Sequence, residues 1–254
     1  MPTFKEEGIV IRKKDFGEAD KILTIYTRGR GRITAFAPGA RKVTSRKTSA
    51  TELFTHGYYF FHKGKNMDVI TEWEILNTFY QLRDDLNKAA LAFYMAELLN
   101  AFLVDGQPHY PTYRLFLESM SLLSRAKENH ELWVRAFEVK ALNHHGFGPE
   151  LYQCASCTNP LSVEKYFQVS HGGTVCRDCF EDGLLLTEDQ LLFIRKLARL
   201  NWNELSRLRY EDHQLIDSEK ILAHYLRETL EKELSSADFV KQARREIKIT
   251  ARKK

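Results

Sequence analysis

The chain lacks most of what would announce an enzyme or an exported protein. There is no Gly-x-x-x-x-Gly-Lys-Ser/Thr loop to cradle phosphates. Gly29-Arg30-Gly31 is the nearest glycine-rich piece, and it is too short and has no downstream Lys-Ser/Thr. No His-Glu-x-x-His occurs. His144 and His145 are adjacent, so they point to different faces and read as polar caps at a helix end. Asp84-Asp85 and Glu181-Asp182 have no partner motif, and two-metal chemistry needs several converging carboxylates. The chain is therefore expected not to be an enzyme. No apolar run approaches the length of a membrane span, so no membrane partner is expected. The opening Met1-Pro2-Thr3-Phe4-Lys5-Glu6-Glu7 lacks the apolar core of a secretory signal, which leads us to expect a cytoplasmic protein. No internal repeat is present in the sequence.

Cysteine is scarce, and its placement is informative. All four cysteines form two pairs, Cys154-x-x-Cys157 and Cys176-x-x-Cys179, separated by eighteen residues. Each turn aims two thiolates at one point, and two such turns supply the tetrahedral sulfur cage that Zn²⁺ prefers. Asn159-Pro160 after the first pair and Gly172-Gly173 before the second provide the necessary turn residues. A disulfide pair or four unrelated core thiols would be the plainer explanations. A reducing compartment disfavours the first, and the clustering disfavours the second. A set of four leaves no open position for water, so the expected Zn²⁺ is structural.

Charge is mild overall and uneven in detail. The net charge is +4, yet residues 1–50 hold twelve Lys/Arg against five Asp/Glu, and residues 241–254 hold seven against one. The middle of the chain is correspondingly acidic. From Lys21 to Lys47 there are eight cations and no acidic residue. A solvated face normally mixes signs, so this segment reads as a contact for a polyanion. The candidate DNA-binding residues are Arg12, Lys13, Arg28, Arg30, Arg32, Arg41, Lys42, Arg46 and Lys47. Of these, Arg28, Arg30 and Arg32 are held together by a glycine turn, while Arg41, Lys42, Arg46 and Lys47 share a polar loop. The alternative is that some pair with the acidic helical body across the domain seam. The basic end, residues 241–254, is either an auxiliary contact or a frayed terminus.

The hydrophobic pattern changes period near residue 79. Before it lie β-rich runs at 8–13, 21–27, 32–37, 53–61 and 67–75, with Arg28-Gly29-Arg30-Gly31 marking a hairpin. After it, apolar residues recur at helical spacing, and Thr187 with Gln190 forms a capping-box signature. Phe93, Phe102, Phe116, Trp133 and Phe137 on these helices read as core. The expected fold class is α+β: a five-stranded OB-type β-barrel, then an all-helical domain with an embedded four-cysteine zinc knuckle. The expected division is 1–80 for the barrel and 81–240 for the helical domain, with the zinc element at 150–183. A basic tail at 241–254 completes it. An SH3-like barrel would leave a similar trace in sequence.

Glu7-Gly8-Ile9-Val10-Ile11, then Gly17-Glu18-Ala19-Asp20-Lys21-Ile22-Leu23-Thr24-Ile25-Tyr26-Thr27 and Gly31-Arg32-Ile33-Thr34-Ala35-Phe36-Ala37-Pro38-Gly39-Ala40-Arg41-Lys42, resemble the RecO family of bacterial DNA repair proteins. The helical remainder with four cysteines is similar to the family's zinc-bearing members. The resemblance implies a recombination mediator that binds single- and double-stranded DNA and anneals complementary strands. It also implies help in loading RecA onto strands coated by single-stranded-DNA-binding protein, together with RecR. Contact with that coating protein's acidic tail is implied as well. Two other classes remain open on the residues themselves: a zinc-containing OB-fold RNA-binding accessory protein and a metal-dependent nuclease.

Overall fold

The computed structural model describes residues 2–41 and 49–251. Lys42, Arg46 and Lys47 lie outside the described residues. In chain order the strands and helices of the first half are β1 (Thr3–Phe16), β2 (Asp20–Thr27), β3 (Gly31–Ala37), β4 (His56–His62), β5 (Asp68–Asn77), α1 (Gln81–Asp84), α2 (Leu86–Phe102) and α3 (Tyr110–Arg125). Then follow α4 (His130–His144), β6 (Lys165–Gln168), β7 (Gly173–Cys176), β8 (Leu184–Leu186), α5 (Glu188–Arg199), α6 (Trp202–Leu205), α7 (Asp212–Leu230) and α8 (Ser235–Ala251). Two compact units result, one comprising residues 1–127 and 236–254 and the other 128–235.

β1 to β5 close into a barrel in the order β1-β2-β3-β5-β4, with β1 also paired to β4. All pairs are antiparallel except β3 with β5, which meet in parallel at Ala35↔Asp68 and Phe36↔Val69. That closure identifies the barrel as OB-type. Alternate residues fill the interior: Val10, Leu23, Ile25, Ile33, Ala35, Tyr59, Phe61 and Ile70 are buried together. A bulge between Val10 and Arg12 shifts the pairing of β1 against β2. Val10 faces Ile25 before it, and Arg12 faces Thr24 after it. The extra residue reverses which side of β1 points inward, so Arg12, Lys14 and Phe16 turn outward instead of into the core. The hairpin expected at 28–31 is present. Gly31 has φ +67°, and a Cβ there would lie 2.5 Å from the carbonyl oxygen of Gln107, so both backbone angle and space require glycine.

α2 and α3 belong to the barrel's unit, so that compact unit runs beyond the change of period near residue 79. α3 packs Tyr113 edge-on against Tyr26 with centroids 5.6 Å apart, and the Tyr26 hydroxyl donates to the His109 carbonyl at 3.0 Å. The basic C-terminal stretch is a helix through Ala251, and that helix begins at Ser235, before the expected tail. Ser236 caps it to Glu97 on α2, Phe239 meets Phe93 at 6.2 Å, and Val240 and Ala243 are buried. Burying a Val- or Phe-sized side chain contributes about 1.5–3 kcal/mol. Truncation after Leu234 is therefore expected to destabilise this unit by about 3 kcal/mol, read as a lower denaturation midpoint. An unchanged midpoint would mean that α8 is ornamental.

In the second unit α4, α5 and α7 pack together, and the Thr187 capping box forms as expected: Gln190 N–H donates to Thr187 Oγ1 at 3.2 Å and Thr187 N–H to Gln190 Oε1 at 3.0 Å. This unit also contains a sheet that the helical expectation missed, ordered β7-β6-β8. Its strands have three or four residues each, too short to show a period.

Candidate nucleic-acid interface and metal site

The expected cations fall in two groups along β2, whose eight residues span about 24 Å: Arg28, Arg30 and Arg32 at the hairpin end, Lys13 and Arg41 toward the other, with Arg12 between them opposite Thr24. Arg28 pairs with Glu7 at 3.3 Å and lies over the Tyr110 ring at 5.0 Å. Arg30 pairs with Glu6 at 3.1 Å and lies over Phe4 at 4.2 Å. Glu7 is held in turn by His56 at 3.0 Å. Arg28 and Arg30 keep 56% and 54% of their side-chain surface exposed, whereas Arg32 keeps 22%. Arg32 is spent on structure: its guanidinium meets Asp105 at 2.6 Å and the Asn100 side chain at 2.8 Å.

At the other end Lys13 reaches Glu52 at 2.5 Å, and Lys21 shares that carboxylate at 3.2 Å. Burial would raise the Glu52 pKa, but hydrogen bonds from both lysines outweigh it and hold it below the usual carboxylate range. Arg41 donates to the Gly17 carbonyl at 2.9 Å and pairs with Asp15 at 3.5 Å. Arg12 is exposed and, among the described residues, has no carboxylate partner. Neighbouring Lys14, which sequence reasoning passed over, is in the same position. The alternation of β1 past its bulge was the missing signal. The acid-free stretch from Lys21 to Lys47 thus does not make an acid-free surface. Strand pairing sets Glu7 beside Arg28, whose N–H donates to the Glu7 carbonyl at 2.9 Å. Exposed pairs of this kind contribute about 0–1 kcal/mol, so a phosphate can compete for Arg28 and Arg30.

The four cysteines converge as expected. Their Sγ atoms all lie within 4.8 Å of one another, and a tetrahedral Zn–S set would place them about 3.8 Å apart. The Cys157 and Cys176 sulfurs are already at 3.8 Å. The first knuckle is closed by Cys154 N–H to the Asn159 carbonyl at 2.8 Å and by Thr158, in the left-handed region at φ +61°. β7 delivers Cys176, whose N–H points to the Cys154 sulfur at 3.4 Å. Tyr166 and Phe180, stacked at 3.9 Å, pack against the cluster with Leu161. Burial works against ionising Cys154, but N–H groups of Cys157, Cys176 and Ser156 outweigh it and bring the thiol down to about 6. Cys179 moves the other way: the Ser156 hydroxyl favours its thiolate, yet the Cys157 and Cys176 sulfurs push it up to about 12. A cation among the sulfurs removes that obstacle. Among the described residues no other group of three or more His, Cys, Asp or Glu side chains converges in this way.

Strand order and thiol cage together define the class: an OB-barrel protein whose helical unit carries a four-sulfur site able to hold a metal ion. Two family models match the chain, Recombination protein O N terminal over residues 1–79 and Recombination protein O C terminal over residues 83–238. The chain is 36% identical over 244 residues to the DNA repair protein RecO of Pelotomaculum thermopropionicum, covering 94% of each chain. It is 32% identical over 244 residues to RecO of Desulforamulus reducens, again with 94% of each covered. With RecO of Acetivibrio thermocellus it shares 29% over 244 residues, 95% of this chain and 97% of the relative. The chain belongs to the RecO family of DNA repair proteins. No helix among the described residues is long and apolar enough to cross a membrane.

Proposed function

We propose that this protein is a recombination mediator. It binds single- and double-stranded DNA, anneals complementary strands, and with RecR assists RecA loading on strands coated by single-stranded-DNA-binding protein, whose acidic tail it contacts. It works without catalytic chemistry, in the cytoplasm at the nucleoid. The carrying observation is the closed OB-type barrel in a RecO-family chain, with exposed cations in both groups along β2. Lys and Arg side chains that release condensed counterions from phosphates give affinity that ignores sequence. Annealing then needs only that two strands be held side by side with their repulsion neutralised; base pairing supplies the rest. DNA contact is assigned to Arg12, Lys13, Arg28, Arg30, Arg32, Arg41, Lys42, Arg46 and Lys47. Exposure favours Arg12, Arg28 and Arg30 over Lys13 and Arg32. Cys154, Cys157, Cys176 and Cys179 hold a structural Zn²⁺, which supplies cohesion to residues 150–183.

The test is annealing of two complementary labelled oligonucleotides, bare and coated with single-stranded-DNA-binding protein, followed by energy transfer. Annealing faster than the spontaneous rate on both substrates is expected. No acceleration on either would refute the mediator reading. Tighter binding to an RNA strand than to its DNA counterpart would favour the RNA-accessory class. Mg²⁺-dependent shortening of the strands would favour a nuclease.

A further inference from the structure

The outward surface of β1-β2-β3 divides into a covered half and an open half. At the hairpin end Tyr26 is fully buried beneath Tyr113, and Arg32, opposite it in register, is tied to Asp105. Past the bulge the same surface is more open: among the described residues Arg12, Lys14 and Thr34 are exposed, and Ile22, Thr24 and Phe36 are half-buried. Register aligns two rows across the three strands there: Arg12–Thr24–Thr34, then Lys14–Ile22–Phe36. Phe16 stands at the end of β1, 52% exposed, and meets Phe36 edge-on with centroids 5.9 Å apart and planes at 88°. Exposed cations thus run along one margin and two aromatic rings sit beside them. On β5 Glu72 and Glu74 are exposed, and Glu74 pairs with Lys5 at 3.7 Å.

We propose that this open half is a stacking platform for unpaired bases of a single strand, with Arg12 and Lys14 on its phosphates and Phe16 and Phe36 against its bases. The occupant follows from the chemistry. A row of cations selects a polyanion, and the exposed Phe16 ring with the half-buried Phe36 ring beside it selects one that also offers flat apolar faces, which unpaired bases do and a duplex backbone does not. An acidic peptide would satisfy the cations but leave the rings in water. The phase reversal at the bulge brings these side chains to one surface, and without it Arg12, Lys14 and Phe16 would point into the core. Stacking of this kind is indifferent to sequence, as a protein that anneals arbitrary strands requires.

This inference rests on the DNA-binding reading and can fail separately from it. The full chain would be titrated with an oligo-dT strand, an abasic strand of equal length and a duplex, using anisotropy at fixed salt. Phe16→Ala should weaken oligo-dT binding at least about five-fold, the lower end for removal of one aromatic ring from beneath a base. Binding to the abasic strand and the duplex should stay as in the unmodified protein. Phe36→Leu, which keeps apolar volume and removes the ring, should do the same, with an unchanged denaturation midpoint confirming the fold. If both variants bind oligo-dT like the unmodified protein, or lose oligo-dT and abasic binding equally, the platform is refuted and phosphate contact alone remains. If the unmodified protein binds none of the three, the DNA-binding reading itself falls.

Discussion

Replacing Cys176 with serine is expected to release the metal and loosen residues 150–183, costing several kcal/mol. Cys176 is a demanding position: it is buried at the end of β7, pairs with Lys165 across to β6, and holds the Cys154 sulfur through its N–H. Structural zinc binding is worth about 10–16 kcal/mol in small peptides. Only part of that appears here, because α4, α5 and α7 retain a core of Phe137, Phe193, Ile194 and Leu222 without it. Elemental analysis should find one zinc per unmodified chain, and thermal denaturation of Cys176→Ser should begin well below the unmodified midpoint. DNA binding by the barrel should largely survive. Protein purified without chelator and free of zinc would remove the metal from the account.

Reversing Arg12 and Lys14 to glutamate should lower single-strand affinity roughly tenfold or more at low salt, since each reversal replaces an attraction by a repulsion. These positions suit reversal because neither has a carboxylate beside it among the described residues. Arg28 and Arg30 do not: glutamate there would crowd Glu7 and Glu6, and lost folding would mimic lost binding. Neutralising them to glutamine should cost less, because part of their charge is already answered by those partners. Arg32→Gln should cost least in binding and most in stability, given its ties to Asp105 and Asn100. The effects should appear in anisotropy titrations against any sequence. An Arg32 variant that weakened binding more than Arg12→Glu with Lys14→Glu would invert this ranking.

The sequence was legible wherever a local pattern carries the information. Strand alternation, the Arg28–Gly31 turn, the change of period and the Thr187 cap are written in neighbouring residues, and each reappears in three dimensions. The cysteine spacing was sufficient for the convergence at Sγ. What stayed hidden is set by register. That Glu6 and Glu7 answer Arg30 and Arg28 depends on how β1 meets β2, and no count of charges along the chain contains it. The bulge at Val10–Arg12 is one residue in a run of β-formers, yet it decides that Lys14 and Phe16 face outward. Tyr26, an aromatic separated by one residue from the basic hairpin, is covered by α3. α8 looked like a charged tail because its buried positions, Val240 and Ala243, are few and small.

The salt dependence of single-strand binding tests the barrel assignment most directly. Each phosphate held by a cation contributes a slope of about −0.7 to log affinity against log salt on a single strand. The unmodified protein should give a steep line. The variant carrying Arg12→Gln, Lys14→Gln, Arg28→Gln and Arg30→Gln should give one shallower by roughly 0.7 for each phosphate no longer neutralised, with the same change on unrelated sequences. An unaltered slope and affinity in that variant, with its fold intact, would mean that the strand binds elsewhere and that the barrel is not the DNA site.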